Sequence, residues 1–148
     1  MLQEAQRHIN NRMLFREFVL KGDLDSVAPA RDAMVEFVRS YCADEQQEID
    51  ILLALQEALA NATLHGCGND SSKLVHCTVE ITPSAMSFDI RDPGSGFPTE
   101  SATDEAEDGT NLTEHGRGIY LMRSLMDQVS YRKRGSEVVM KKMRTPAR

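Results

Sequence analysis

The stretch E-A-L-A-N-A-T-L-H (57–65) decides the fold of this chain, because it lies on the best-defined helix of the sequence. Apolar residues recur at helical spacing through residues 44–65, and Gly66 stands where a helix would end. Glu57, Asn61 and His65 are spaced four apart, so at about 3.6 residues per turn they share one face. That face is predicted to lie opposite a packing stripe of Leu55, Leu59 and Ala62.

A carboxylate, an amide and an imidazole on one face have a specific chemical use. The carbonyl oxygen of an Asn can complete a Mg²⁺ shell that also holds water and phosphate oxygens. A Glu one turn away can orient or deprotonate an attacking hydroxyl. By spacing alone, a solvated polar face is the better explanation of the pattern, so other motifs must decide.

A second motif, D-P-G-S-G-F (92–97), follows a predicted strand. Its two glycines permit close approach of a ligand to the backbone. Asp92 at the strand end can accept a hydrogen bond from an exocyclic amine. On its own the motif is also typical of an ordinary Asp-Pro-Gly turn.

A third motif, Gly116-Arg117-Gly118, comes directly before a predicted helix. Backbone N–H groups and the positive end of a helix dipole would there face an anion such as phosphate. Alone, the glycine pair is more typical of a simple helix start than of a phosphate site.

Charge and hydropathy exclude several classes of partner. Seventeen basic and twenty-three acidic side chains give a formal net charge of −6, which would repel a nucleic-acid backbone. Charged residues interrupt the first twenty positions, and no apolar run is long enough for a membrane span. We therefore expect a cytoplasmic protein that binds neither nucleic acid nor membrane. Cys42, Cys67 and Cys77 form no C-x-x-C pair and are interpreted as reduced packing thiols.

The elements around the motifs predict one domain over residues 14–148 after a flexible lead-in at 1–13. An acidic loop is expected at 99–114, which carries six acidic residues and no basic one. The predicted helices span 24–43, 44–65 and 118–127, and the predicted strands span 14–20, 74–81, 86–90, 128–134 and 137–143.

Taken in order, E-A-L-A-N-A-T-L-H (57–65), D-P-G-S-G-F (92–97) and G-R-G-I-Y-L-M (116–122) resemble the N box and the two glycine boxes of the Bergerat ATPases. Within that superfamily the chain is most similar to the anti-sigma factor serine kinases, over about residues 14 to 143. The resemblance implies a two-layer α/β sandwich, with three helices on one face of a mixed, largely antiparallel sheet.

The resemblance also implies ATP and Mg²⁺ as cofactors and assigns a role to each matching residue. Glu57 would be the general base, Asn61 the Mg²⁺ ligand and Asp92 the acceptor for the adenine amino group. His65 would be either a further ligand or a helix cap. Gly94 and Gly96 would border the adenine base, and Gly116 and Gly118 would face the phosphates. The hydroxyl of Ser136 would reach the adenine through a water molecule.

One departure from the family concerns the lid. Kinase members commonly bring a basic residue toward the triphosphate from this loop, whereas residues 99–114 hold six acidic residues and no basic one. Closure would meet charge repulsion. Arg117, with His115 as an additional candidate, is expected to supply the missing cation.

The leading hypothesis is a protein serine/threonine kinase that phosphorylates an anti-sigma factor antagonist and binds a sigma factor, as a homodimer. The first alternative is a nucleotide-dependent binding module that switches a partner without phosphotransfer. The second is the ATP-binding half of a split histidine kinase, which the short lead-in with only His8 disfavours.

Overall fold

A computed structural model describes residues 7–9, 13–96 and 114–144. They form a six-stranded sheet with the order β1-β2-β3-β4-β6-β5. The strands are Arg7–Ile9 (β1), Met13–Gly22 (β2), Asp70–Ile81 (β3), Ala85–Arg91 (β4), Gln128–Arg132 (β5) and Glu137–Met143 (β6). The helices are Val27–Val38 (α1), Glu45–Asn61 (α2) and Glu114–Leu125 (α3).

The expected α/β sandwich is confirmed, with one difference in the sheet. Every strand pairing among the described residues is antiparallel, whereas the sequence predicted a mixed sheet. The chain does cross over through α3, which makes β5 run parallel to β4. However, β6 lies between the two and pairs antiparallel with both.

The start of the chain contributes to the sheet. Residues 7–9, within the predicted lead-in, form a short strand that pairs with Met13–Phe15 of β2. The prediction of a lead-in therefore overlooked a strand, because its polar sequence lacks the period-two apolar pattern used to find the others. The flexibility of the remainder, and the domain boundary at residue 14, stay predictions.

Capping residues determine where two of the helical segments begin. Asp44 accepts a hydrogen bond from the Gln47 N–H at 2.8 Å and caps α2. Asp23 caps a short 3₁₀ turn ahead of α1 by accepting from the Ser26 N–H at 2.9 Å. The helix predicted over 24–43 is therefore shorter, since 3₁₀ turns flank α1 on both sides.

The core lies between the three helices and one face of the sheet. Alternate residues of β3 and β4 are buried, as period-two patterning predicts, and they meet the apolar stripes of the helices. Leu55 and Leu59 of α2 are fully buried, as expected for its packing stripe. The opposite face of the sheet carries half-exposed polar side chains, including Thr78, Ser87 and Asp89.

Two further expectations can be compared with this fold. The three cysteines are free, and Cys67 and Cys77 are buried, consistent with packing thiols. Within the described ranges, no helix is long and apolar enough to span a membrane.

Candidate functional site

A pocket of about 420 Å³, counting the space at its open mouth, lies between the end of α2 and the ends of β4 and β6. Its walls are largely apolar, and polar groups stand at defined points around them. This is the usual make-up of a small-molecule site. The walls comprise Ala58, Asn61, Ala62, His65, Gly66, Ile90, Asp92, Gly96, Met122, Tyr131, Gly135, Ser136 and Val138.

A π-helical turn, Ala62–Gly66, extends α2 into the wall of the pocket. The Cys67 N–H donates to the Ala62 carbonyl at 2.9 Å, the i→i+5 bond of such a turn. The turn widens the helix, so the four-residue spacing of Asn61 and His65 no longer follows α-helical geometry. Both side chains nevertheless line the pocket, with His65 exposed at its edge.

Ala62 lies in the pocket wall as well. The sequence predicted that the Glu57, Asn61 and His65 face is opposite a stripe containing Ala62, and this part of the prediction is wrong. Ala62 stands next to Asn61 and belongs both to the core and to the pocket, where its small side chain leaves room for a ligand.

Glu57 and Asn61 meet α3 at Gly118. A Cβ added to Gly118 would lie 3.0 Å from Glu57 Oε2 and 3.4 Å from Asn61 Nδ2. The glycine therefore permits α3 to pack against this face of α2. The Asn61 Nδ2 atom is buried and has no hydrogen-bond partner among the described residues. An unsatisfied buried amide at a pocket wall is well placed to bind a ligand.

The glycine motif itself sits differently from the prediction. α3 begins at Glu114, four residues before the predicted start, so Gly116 and Gly118 lie inside its first turns. An α-helix pairs its N–H groups internally from about the fifth residue onward. Gly118 is the fifth residue of α3, and what the structure shows for it is close packing on α2.

Asp92 is enclosed by backbone at the other side of the pocket. A Cβ added to Gly66 would overlap the Asp92 carboxylate, and one added to Gly94 would lie 2.8 Å from the Gly66 carbonyl oxygen. The Gly94 N–H donates to Asp92 Oδ1 at 2.8 Å. Burial raises the pKa of Asp92, and the hydrogen bond from Gly94 acts in the opposite direction. The carboxylate is thus held as an acceptor that faces the pocket.

Ser136 joins the same side of the pocket through the β5–β6 hairpin. Its carbonyl accepts from the Asp92 N–H at 2.9 Å, and its hydroxyl donates to the Lys133 carbonyl at 3.0 Å. Because that bond uses the only hydroxyl proton, Ser136 Oγ can act toward a ligand or water as an acceptor. Gly96, at φ +86°, packs against the backbone of Arg134 in this hairpin.

Other predicted residues stand outside the pocket walls. Gly94 lies behind Asp92 and shapes the site indirectly. Gly116 is buried in α3, and Arg117 is exposed on that helix. The acidic loop falls almost entirely outside the described residues, as does the side chain of His115, so the predicted repulsion within the lid stays a prediction.

Comparison with known proteins identifies the fold family of this pocket. Residues 20–142 match the family profile described as the histidine kinase-like ATPase domain, which covers both walls of the site. The chain belongs to that family. The resemblance to Bergerat ATPases found in the sequence is thereby confirmed.

The curated relatives of this ATPase domain include two that carry the same name. An anti-sigma F factor of Clostridium novyi is 27% identical over 131 residues, covering 85% of this chain and 90% of the relative. An anti-sigma F factor of Geobacillus stearothermophilus is 29% identical over 118 residues, covering 76% and 81%. Both alignments thus span most of this chain and most of the relative.

A solved structure shows the same fold. The crystal structure of the RsbU and RsbW domains of a Mycobacterium tuberculosis protein aligns with a TM-score of 0.60 at 16% identity, covering 90% of this chain. The match spans 34% of that longer chain. It supports the architecture of the ATPase domain and the order of its elements.

Several site residues of the ATPase domain were missed by sequence reasoning. Gly66 was interpreted only as a helix stop, although it makes the room that Asp92 needs. Ile90 and Val138 line the pocket two residues from Asp92 and Ser136, on the same strand faces. Period-two counting outward from the two polar residues would have found both. Tyr131 and Met122 carry no comparable signal.

Proposed function

We propose that this chain binds Mg²⁺-ATP in the pocket, with the adenine on the Asp92 side and the phosphates toward Asn61 and α3. The observation that carries the proposal is the pairing of two complementary sites in one pocket. The Asp92 carboxylate, an acceptor for an amine, is framed by Gly66 and Gly94. The buried amide nitrogen of Asn61, which has no hydrogen-bond partner among the described residues, lines the same pocket. Apolar walls between them suit a purine base.

The amide of Asn61 fits a hydrated Mg²⁺ ion bound to phosphate. Its carbonyl oxygen is a hard ligand, and an amide can turn either end toward the pocket. A bound Mg²⁺ would neutralise negative charge on the phosphate oxygens. His65, at the same wall, is proposed as an additional polar contact of the nucleotide.

For the reaction, we infer phosphoryl transfer to a serine or threonine of a protein. The substrate hydroxyl oxygen bonds to the γ-phosphorus while the bond from that phosphorus to the bridging oxygen breaks, and ADP leaves. The hydroxyl proton passes to the Glu57 carboxylate. The position of Glu57 Oε2 beside Gly118, one turn from Asn61, supports this role. Arg117 would supply positive charge near the phosphates from the same helix.

The names of the relatives guide the choice of protein partners. Because curated relatives of similar length are anti-sigma F factors, we propose a sigma factor as one partner and an anti-sigma factor antagonist as the phosphorylated partner. A homodimer formed across the sheet face near α1, in the cytoplasm, completes the proposal. The acidic net charge of −6 supports protein partners over nucleic acid.

Calorimetric titration with ATP and ADP, with and without Mg²⁺, tests the binding step. We expect Mg²⁺-dependent binding that Asn61→Ala abolishes and that Gln46→Ala, an exposed amide on the same helix, leaves unchanged. No binding by the wild-type chain under any condition would refute the proposed nucleotide site.

Transfer of labelled γ-phosphate to a candidate antagonist tests the chemistry. Glu57→Gln keeps the shape of the side chain and removes its basicity, so ATP should still bind while transfer stops. Transfer that persists in Glu57→Gln would remove Glu57 as the base. Nucleotide binding with partner regulation but no labelled protein would favour a switch module instead.

A further inference from the structure

Lys142 is a charged residue on the inner face of β6, where its neighbours in the alternation, Val138 and Met140, are buried in the core. Its Nζ donates to the Leu125 carbonyl at 2.5 Å and to Asp50 Oδ2 at 3.2 Å. The side chains of Lys142 and Asp50 are only 14% and 19% exposed. One ammonium group thus joins β6, the last residue of α3 and the N-terminal half of α2.

The chain that leaves α3 is bound to the same strand. The Asp127 N–H donates to the Lys141 carbonyl at 2.9 Å, and the Met143 N–H donates to Asp127 Oδ2 at 2.6 Å. Together with Lys142, these bonds fix the C-terminal end of α3 against the end of β6. A cation at a helix C-terminus is also favoured by the helix dipole.

The other end of α3 reaches the nucleotide site. Gly118 packs on Glu57 and Asn61, and the antiparallel course of the two helices then brings Leu125 beside Asp50. Gly118 and Leu125 are seven residues apart (125 − 118), as are Asp50 and Glu57 (57 − 50). At about 1.5 Å per residue, each pair spans about 10 Å. α3 is therefore held against α2 at both ends of one matched interval.

The energetics of the Lys142–Asp50 ion pair indicate that it serves to position α3. Taking two charges out of water costs free energy that their attraction often only offsets, and apolar replacement of both partners is often neutral or stabilising. A directional hydrogen bond to the Leu125 carbonyl does what an apolar contact cannot, since it sets the position of α3 along its own axis.

We propose that Lys142 is a positioning residue of the nucleotide site, which holds α3 at the axial position where Gly118 meets Glu57 and Asn61. The inference rests on the proposed ATP binding, and it adds a remote residue that touches neither nucleotide nor protein substrate.

The experiment compares four variants with the wild type for melting temperature, ATP affinity and nucleotide-free hydrogen exchange of α3. Lys142→Met removes the ammonium, Lys142→Arg preserves a cation, and Asp50→Leu with Lys142→Met makes the junction apolar. Lys141→Met is the matched control, because that neighbouring lysine faces the open side of the sheet.

Lys142→Met should weaken ATP binding about tenfold, a typical size for coupling through a packed network. Its α3 amides should exchange faster, while Lys142→Arg and Lys141→Met stay near wild type. The double variant should recover the melting temperature without recovering ATP affinity, which a purely structural pair would not produce.

The proposal would be overturned if folded Lys142→Met bound ATP as tightly as the wild type. It would also be overturned if the double variant recovered both ATP affinity and melting temperature. If the wild type binds no ATP, the proposed function fails, and exchange alone then decides the role of Lys142. Faster exchange confined to α3 in Lys142→Met supports it, and unchanged exchange refutes it.

Discussion

Gly66 and Asp92 face each other so closely that a Cβ on Gly66 would occupy the space of the Asp92 carboxylate. Gly66 ends the π-helical turn after α2, and Asp92 follows β4, so this contact joins the two walls of the pocket. Backbone on one side and the Gly94 N–H on the other leave the carboxylate little freedom. The orientation of the Asp92 carboxylate, the predicted acceptor for the adenine amino group, is therefore fixed by the surrounding backbone.

Gly66→Ala should abolish or greatly weaken ATP binding, because its methyl group must displace Asp92. Calorimetric titration measures the loss, and circular dichroism checks that the chain stays folded. Gly68→Asn is the matched control. Gly68 has open space around it, and Asn tolerates its positive φ of +66°. An unchanged ATP affinity in Gly66→Ala would show that Asp92 is not a base contact.

Gly118→Ala should separate stability from function. Replacing a glycine inside a helix by alanine commonly stabilises by about 0.5–1 kcal/mol. The added Cβ would lie 3.0 Å from Glu57 Oε2, so the carboxylate must move away. We expect an equal or higher melting temperature, together with phosphate transfer reduced more than ATP binding.

The comparison for this variant is Ser124→Ala, on the exposed side of the same helix. It should leave both transfer and binding unchanged. If Gly118→Ala transfers phosphate at the wild-type rate, Glu57 does not act as the base from its present position.

Asp89 on the open sheet face should make stability depend on pH. Burial, and then the hydrogen bond and charge of Glu137, raise the pKa of Asp89 to about 6, whereas Arg91 and Arg132 act in the opposite direction. The folded chain therefore retains a proton that the unfolded chain has lost, and stability falls as pH rises toward 6.

Asp89→Asn removes that titration. We expect its melting temperature to exceed that of the wild type at pH 7 to 8, and the difference to shrink at about pH 4 to 5. Thermal unfolding across this range measures it. Because Asp89 is partly exposed, solvent screening limits the effect. A variant less stable than the wild type at pH 8 would contradict the assignment.

Arg117→Ala tests the source of positive charge near the phosphates. Arg117 is the fourth residue of α3 and is exposed, beside the buried Gly116 and Gly118. Its loss should weaken ATP binding or slow phosphate transfer, because residues 99–114 contain no basic residue that could replace its charge. Arg123→Ala, a second exposed arginine on α3, is the control. An unchanged affinity together with an unchanged rate would exclude Arg117 from the site.

Several elements followed from local pattern alone. β6 was predicted at Glu137–Met143, which are its observed bounds, because a short strand-like run that starts with Val138, Val139 and Met140 follows a Gly-Ser turn. The family followed from three short motifs in a fixed order, and the match over residues 20–142 confirms it. The strand and each single motif depend on neighbours within a few positions, and the order of the motifs is itself part of the sequence, so the sequence carries these features.

Tertiary structure decided the rest, because the determining contacts join residues far apart in the chain. Gly66 and Asp92, or Lys142 and Asp50, show no relation in sequence, and only the antiparallel sheet and the packing of α3 on α2 bring them together. The π-helical turn likewise departs from the α-helical spacing that its sequence predicts. The pattern of residues along the sequence thus determined the helices, the strands and the motifs they carry. Close packing between elements that are distant in sequence determined how the pocket was assembled.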